Sequence, residues 1–202
     1  MANGRVCTGF SMPWVALYAN NNGAISYSGG MPLARGVSVA LSVETSSDNN
    51  FYADNVLAET DAQGFSSGTV TLTVDGLKDA ARKLIMGITA TKSVTVATDT
   101  TVVFEQYDDT QSIPYLGIGF IARYMEEGVT TYVPVILNKC KFNPEGLDAE
   151  TQGESIDFQT TELEAAIMRD DSSAHAWKLI GAAQTTEAAA YNAIKAVLTA
   201  AA

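Results

Sequence analysis

The chain has few of the residues from which metal centres and disulfide frameworks are built. Its 202 residues include a single histidine, His175, and two cysteines, Cys7 and Cys140. The cysteines lie in unrelated segments without metal-ligand spacing, and one imidazole alone does not anchor a typical transition-metal site. We therefore expect no metal, no cofactor and no disulfide, with the cysteines buried as small apolar side chains in a reducing cytoplasm. His175 is assigned a surface or packing role.

Positive charge is also scarce. The chain has 12 lysines and arginines against 23 aspartates and glutamates, which gives a net charge of −11. The first hundred residues contribute −2 of this charge and the remainder −9. A protein that grips nucleic acid tightly needs a basic surface, so this distribution argues against tight DNA binding.

Long apolar runs are missing as well. Residues 1–5 lack the apolar run of a signal peptide, and the longest apolar stretch, Tyr115–Ala122, is far too short to span a bilayer. We therefore expect no membrane partner and synthesis and folding in the cytoplasm. Apolar residues nevertheless make up 47% of the chain and charged residues 17%, which indicates a folded globular core.

Two short motifs have the letters of functional signatures without the required context. Gly64–Gly68 matches G-x-S-x-G, but it leads into a predicted strand at Thr69, whereas a nucleophile elbow needs a strand-to-helix turn. Gly117–Ala122 resembles a dinucleotide fingerprint, but another strand follows instead of a helix. Its glycines are better explained by close backbone approach within a sheet. The chain is therefore not predicted to be an enzyme.

Acidic pairs occur at three places, and none has the alternating ligand pattern of a calcium loop. We expect the three acidic pairs to lie in solvent-exposed turns. The pairs are Asp108–Asp109, Glu126–Glu127 and Asp170–Asp171.

What the chain does contain is strand-forming sequence. Tyr132–Phe142 is rich in β-branched and aromatic residues, and Asn143–Gly146 supplies a proline and a glycine for a turn. A return strand is predicted to begin at Glu154. Its apolar residues change from even to odd positions after Thr160, which predicts a β-bulge near Thr160–Glu162.

The first half of the chain also predicts strands. Residues 5–20 indicate two strands with a break at Met12–Pro13, and turns are expected at Asn20–Gly23 and Ser28–Gly30. Residues 37–43 alternate apolar and small polar side chains, so one face is expected in the core. With the loop composition of Thr45–Asn50, residues 37–57 predict an extended hairpin.

Two helices complete the prediction. The first covers about residues 76–88, with Asp75 as its N-cap and an apolar stripe that includes Leu84 and Ile85. The second covers Thr185–Leu198. We expect a mainly β protein, a β-sandwich or barrel with one flanking helix and a C-terminal helix. The β domain is expected to cover residues 1–170, with residues 171–202 packed against it as a helical extension.

Several segments, in this order, resemble the major tail protein, or tail tube protein, of long-tailed non-contractile bacteriophages. Together they cover most of residues 5–168, and residues 89–114 depart from the pattern and are predicted to form a surface excursion. The matching segments are Val37–Glu44, Phe51–Asn55, Gly64–Val74 with the helix ending at Gly87, Tyr115–Ala122, Asn138–Phe142 and Thr151–Thr160.

The resemblance implies a structural virion protein. Its subunits would form hexameric rings that stack into the tail tube, through which DNA passes without specific binding during ejection. The implied partners are further copies of the chain and other tail proteins, such as the tape measure and the tail terminator. Assembly would take place in the host cytoplasm. The alternative is a receptor- or carbohydrate-binding β-sandwich module of a phage tail, which would need exposed aromatic residues around a pocket.

Two sets of residues are candidates for assembly and conduction. A polar hairpin tip followed by aromatic side chains is typical of a contact between subunits or rings. That set is Glu44, Asp48, Asn49, Asn50, Phe51, Tyr52, Asp54 and Asn55. Small, neutral or acidic side chains on strand faces suit a lumen that must not hold DNA. That set is Ser38, Ser42, Glu44, Ser155, Asp157 and Gln159. The alternative is that these side chains face the solvent outside the tube, because alternation alone does not distinguish the two wet faces.

Overall fold

The computed structural model describes residues 4–46, 50–60, 64–97, 100–146, 149, 151 and 158–199. They form a mainly β, β-sandwich-like structure with antiparallel sheets and two helices, which confirms the expected fold class. The elements are β1 (Val6–Asn21), β2 (Ala24–Pro32), β3 (Gly36–Thr45), β4 (Asn50–Ala53), β5 (Val56–Thr60), β6 (Phe65–Val74), α1 (Asp79–Met86), β7 (Thr91–Ala97), β8 (Thr100–Glu105), β9 (Leu116–Glu126), β10 (Val129–Phe142), β11 (Thr161–Met168), β12 (Lys178–Ile180) and α2 (Glu187–Leu198).

One large sheet dominates the fold. Its strand order is β2-β1-β9-β10-β11-β6-β3, and β12 pairs with β10 beside this path. The hairpins β4–β5 and β7–β8 form separate two-stranded sheets. The sheet curls until the beginning of β3 approaches β1, since a Cβ atom on Gly36 would lie only 2.1 Å from the Phe10 ring. No strand pairing joins β1 to β3 in the described ranges.

The two faces of this sheet pack differently. The face that we call inner holds the main core, in which side chains such as Leu72, Ile118 and Leu137 pack with α1. On the outer face, α2 covers β1, β9 and β10 through Ile194 and Leu198. The outer face of β3, β6 and β11 has no such apolar cover among the described residues.

Glycines in β9 allow α2 to lie close to the sheet. A Cβ atom on Gly119 would lie 2.3 Å from Ile194 Cγ2, and one on Gly117 would lie 2.7 Å from Leu198 Cδ2. Because side chains at these positions would push the helix away, the fingerprint-like glycines allow α2 to pack on the sheet, whereas the sequence analysis expects a close backbone approach within the sheet. The helix begins at an N-cap, Thr186, whose Oγ1 accepts a hydrogen bond from the Ala189 amide.

The structure corrects several local predictions about strands. β3 pairs with β6 and not with residues 51–57, so the extended hairpin runs from 36 to 74 and has β4–β5 at its far end. Met12–Pro13 does not end a strand; it lies within β1, where the register shifts between Ser11 and Trp14. Ser28–Gly30 lies within β2. The register shifts nearby, and Gly29 has a φ of 63°.

The return strand also differs from its prediction. β11 pairs with β6 from Thr161 to Ile167 without a register shift, and residues 158–160 lie outside any strand. The strand therefore begins at the position where the bulge was predicted. Residues 152–157, including Ser155 and Asp157, lie outside the described part of the chain.

The first helix begins later than predicted. Its N-cap is Lys78, which makes no side-chain capping bond, and Asp75 instead accepts two hydrogen bonds from the backbone and side chain of Arg35. Arg35 holds the pKa of Asp75 below its usual value, chiefly through the side-chain bond. Asp75 thus joins the start of β3 to the end of β6 rather than capping the helix.

One of the two expected cysteine burials is also wrong. Cys140 is buried, and its burial raises the pKa of its thiol, but Cys7 is exposed. Trp177 stacks on Phe65 with ring centroids 4.5 Å apart, whereas Ile180 on β12 is exposed.

We expect Ile85→Ala to lower the free energy of unfolding by about 2 to 5 kcal/mol, because Ile85 is completely buried in the main core and truncation leaves a cavity. Leu84→Ala is the matched control, since Leu84 lies beside Ile85 on α1 but is only half-buried. Urea denaturation of both variants measures the difference. Equal stabilities for the two variants would show that the stripe of α1 is misassigned.

Candidate assembly surfaces

The uncovered outer face of β3, β6 and β11 is made of small polar and acidic side chains. Cross-strand register aligns its residues in rows, so that Ser42, Thr69 and Ala166 lie side by side. We call this surface the polar face. Its members are Ser38, Ala40, Ser42 and Glu44 on β3, Ser67, Thr69, Thr71 and Thr73 on β6, and Glu162, Glu164 and Ala166 on β11.

Hydrogen bonds between neighbouring strands order the polar face. Ser38 Oγ donates to Thr73 Oγ1 at 2.9 Å, and Ser67 Oγ donates to Glu44 Oε2 at 2.8 Å. The members include three carboxylates and no lysine or arginine. The next basic residue in the register is Lys141 on β10, which pairs with Ala166. The electrostatic character of the face is therefore acidic.

The structure brings together only some of the proposed lumen residues. Ser38, Ser42 and Glu44 share the polar face, while Gln159 is exposed and precedes β11. Ser155 and Asp157 lie outside the described residues. Sequence reasoning missed the threonines of β6 and the glutamates of β11. The alternation of Thr69, Thr71 and Thr73 with valine and leucine in β6 is the signal that could have identified the threonines.

The predicted stacking residues divide between two places. Glu44 belongs to the polar face, whereas Asn50, Phe51 and Tyr52 lie in β4. Asp54 and Asn55 form the turn between β4 and β5, with φ values of 52° and 62°. Two consecutive positive φ angles are typical of a type I′ hairpin turn, which aspartate and asparagine tolerate. Asp48 and Asn49 lie outside the described residues.

The β3 strand forms an open edge of the large sheet. Its pairing with β6 is regular from Ser38 to Glu44, and its other side has no strand partner in the described ranges. Val37 and Val43 are 56% and 42% exposed. A long, regular edge with exposed valines is a template for pairing with another chain, which monomeric proteins usually avoid. The opposite edge, β2, is interrupted by the irregularity at Gly29.

The β7–β8 hairpin in the predicted excursion carries a second apolar surface. Val94 pairs with Val102, and Phe104 lies on the same face and is 52% exposed. The hairpin is held to α1 by Glu105, which lies 3.2 Å from Arg82 Nε and 3.4 Å from Lys83 Nζ. The bond from Arg82 holds the pKa of Glu105 below its usual value. This segment therefore projects from the subunit as an anchored hairpin.

One acidic pair forms a packed network, contrary to the prediction that it lies in a solvated turn. Asp170 is buried and accepts a hydrogen bond from Asn138 Nδ2 at 2.8 Å. Asp171 accepts from Lys139 Nζ at 2.8 Å and from Tyr18 Oη at 2.9 Å. The Lys139 bond lowers the pKa of Asp171, and burial is the main cause that raises the pKa of Tyr18 to about 12. The pair fastens the C-terminal segment to the sheet.

The G-x-S-x-G sequence and the single histidine do not form a catalytic or metal-binding arrangement with each other in the described part of the chain. Ser66 lies within β6, so the G-x-S-x-G sequence continues along a strand and not into a helix. His175 is exposed, and its Nδ1 lies 3.3 Å from the Asp170 carbonyl oxygen. No cluster of three potential metal ligands occurs among the described residues. Within the same ranges, no helix has the length and apolarity required to cross a bilayer.

No protein-family model matches the chain, and no curated protein is significantly similar to it. Three surfaces are candidates for assembly: the polar face, the open β3 edge and residues 53–56, which we call the β4–β5 tip.

Proposed function

We propose that the chain is a structural virion protein, the subunit of a phage tail tube built from stacked hexameric rings. The observation that carries this proposal is the position of the open β3 edge directly beside the polar face. If the β3 edge of each copy joins the neighbouring copy, the polar face recurs around the ring and the β3 edge is no longer exposed.

The chemistry of the polar face suits the passage of DNA. Each lysine or arginine on a conduit wall could neutralise a phosphate and add a salt-dependent attraction, repeated in every ring. The three strands of the polar face present serine, threonine, alanine and glutamate. Such a wall repels the DNA backbone weakly and hydrogen-bonds readily to water. Tape measure and terminator proteins would be further partners within the tail.

The alternative, a receptor- or carbohydrate-binding module, has less support because the tryptophans are engaged in packing. Trp14 is buried beneath α2, and Trp177 stacks on Phe65. Sugar-binding sites commonly use exposed aromatic faces around a pocket.

Sedimentation velocity and negative-stain electron microscopy of the purified protein over a range of concentrations test the proposal. We expect rings or hollow tubes that accumulate as concentration rises. A protein that stays monomeric at every concentration and binds a glycan on an array would favour the alternative.

A further inference from the structure

An apolar groove lies beside the first helix, at the end of the sheet where β3 begins. It has a volume of about 710 Å³ and lies between the end of β2, the beginning of β3 and α1. Its floor and walls are apolar, with charged groups at the rim. The lining residues include Met31, Leu33, Ala34, Ala80 and Ala81.

The rim of the groove is positively charged, although the chain as a whole is strongly acidic. Its charged members are Arg35, Asp75 and Lys78, so two cations accompany one carboxylate. Arg35 binds Asp75 through Nε at 2.5 Å, yet its side chain remains 92% exposed. Lys78 is exposed at the N-cap of α1. The rim can therefore accept a further carboxylate.

The β4–β5 tip has the complementary properties. Residues 53–56 are all exposed, and the turn presents the Asp54 carboxylate next to Val56, which is 66% exposed. Residues 50–60 contain Asp54 and Glu59 and no basic residue. The type I′ turn fixes the backbone of the tip, so docking would cost little conformational entropy.

The groove and the tip lie at opposite ends of the same strand pair. β3 begins at Gly36, next to the groove, and ends at Thr45, on the side of β4, while β6 returns in the opposite direction. Ten extended residues span about 33 Å, so the tip of one subunit does not reach its own groove. Because the tip and the groove lie at opposite ends of one subunit, a contact between them is head-to-tail and can repeat from copy to copy.

We propose that the β4–β5 tip of one subunit docks into the groove between β2 and α1 of a subunit in the adjacent ring, with Asp54 facing Lys78 and Arg35. The inference rests on the proposed tube function and names the surface that receives the tip. It gives the stack a polarity, since every subunit offers its tip in one direction and its groove in the other.

A charge-neutralisation cycle tests the contact. Asp54→Asn keeps a residue that tolerates positive φ, and Lys78→Gln removes the charge but keeps an unbranched stem and a polar end. Each single variant is expected to raise the critical concentration for tube assembly roughly tenfold, which corresponds to about 1.4 kcal/mol. The critical concentration of the double variant should be no higher than that of the more impaired single variant. Asp109→Asn removes the same charge from another exposed turn and should leave assembly unchanged.

Disulfide cross-linking gives an independent readout. In a Cys7→Ser background, protein with Val56→Cys is mixed with protein with Ala80→Cys and oxidised after assembly. We expect a covalent dimer in the mixture and none in either preparation alone. Wild-type tubes, with no cross-link in tubes assembled from the two cysteine variants and with additive effects of Asp54→Asn and Lys78→Gln, would overturn the inference while the tube function stands. A wild-type protein that forms no tubes would overturn both.

Discussion

Replacing Val37 and Val43 by lysine is expected to leave the subunit folded and to abolish its assembly. Both valines are already about half exposed on the open edge, so the monomer loses roughly 1 kcal/mol of burial at each site. The melting temperature should fall by no more than about 8 °C. Edge-to-edge pairing, by contrast, would have to bury two ammonium groups beside a neighbouring strand. Natural edge strands carry lysines for this reason, since the lysines prevent association.

Sedimentation velocity and electron microscopy measure this outcome, and circular dichroism checks that the variant is folded. A variant with Val96→Lys and Val129→Lys adds the same charge at exposed valines away from β3. It should assemble normally. Tubes of wild-type length from the β3 variant would show that the β3 edge does not join subunits.

Lysines on the polar face are expected to slow or stall DNA ejection without preventing tube assembly. Ser42→Lys together with Glu164→Lys turns an acidic surface into a basic one at two neighbouring rows. Each lysine can neutralise a phosphate, and the contact recurs in every ring that the DNA passes. Because the attraction depends on counterion release, higher salt should restore the ejection rate.

Release of fluorescently stained DNA from mutant particles, followed at low and high salt, measures the effect. Ser42→Thr with Glu164→Gln is the matched control, since it changes the same two positions without adding positive charge. The glutamine oxygen can still accept the hydrogen bond from Asn143 Nδ2. Normal ejection kinetics in well-formed tails with both lysines would place the polar face outside the lumen.

Much of the fold could be predicted because each strand carries its own pattern. β9 and β10 are defined by long runs of β-branched and aromatic residues, and the turn between them at Glu127 and Gly128 has positive φ at both positions. Local sequence determines these features, so no knowledge of distant partners was required.

The errors about β3 and Asp75 have a common physical origin, since both concern the choice of a distant partner. β3 pairs with β6 because Val39 and Leu41 match Leu72 and Val70 over a long register, and the nearer residues 51–57 offer only a short strand. Asp75 was assigned to the helix because its distant partner, Arg35, is not apparent from local sequence. The polar face is formed by three strands that are far apart in the chain. The sequence therefore indicated some of its residues but not which strands lie side by side.

Electron cryo-microscopy of assembled wild-type protein tests the central claim most directly. The account predicts a hollow tube of stacked sixfold rings in which β3 joins a neighbouring subunit and the polar face of β3, β6 and β11 lines the lumen. A reconstruction with that face on the outer surface, or a protein that forms no rings under any condition tested, would contradict it.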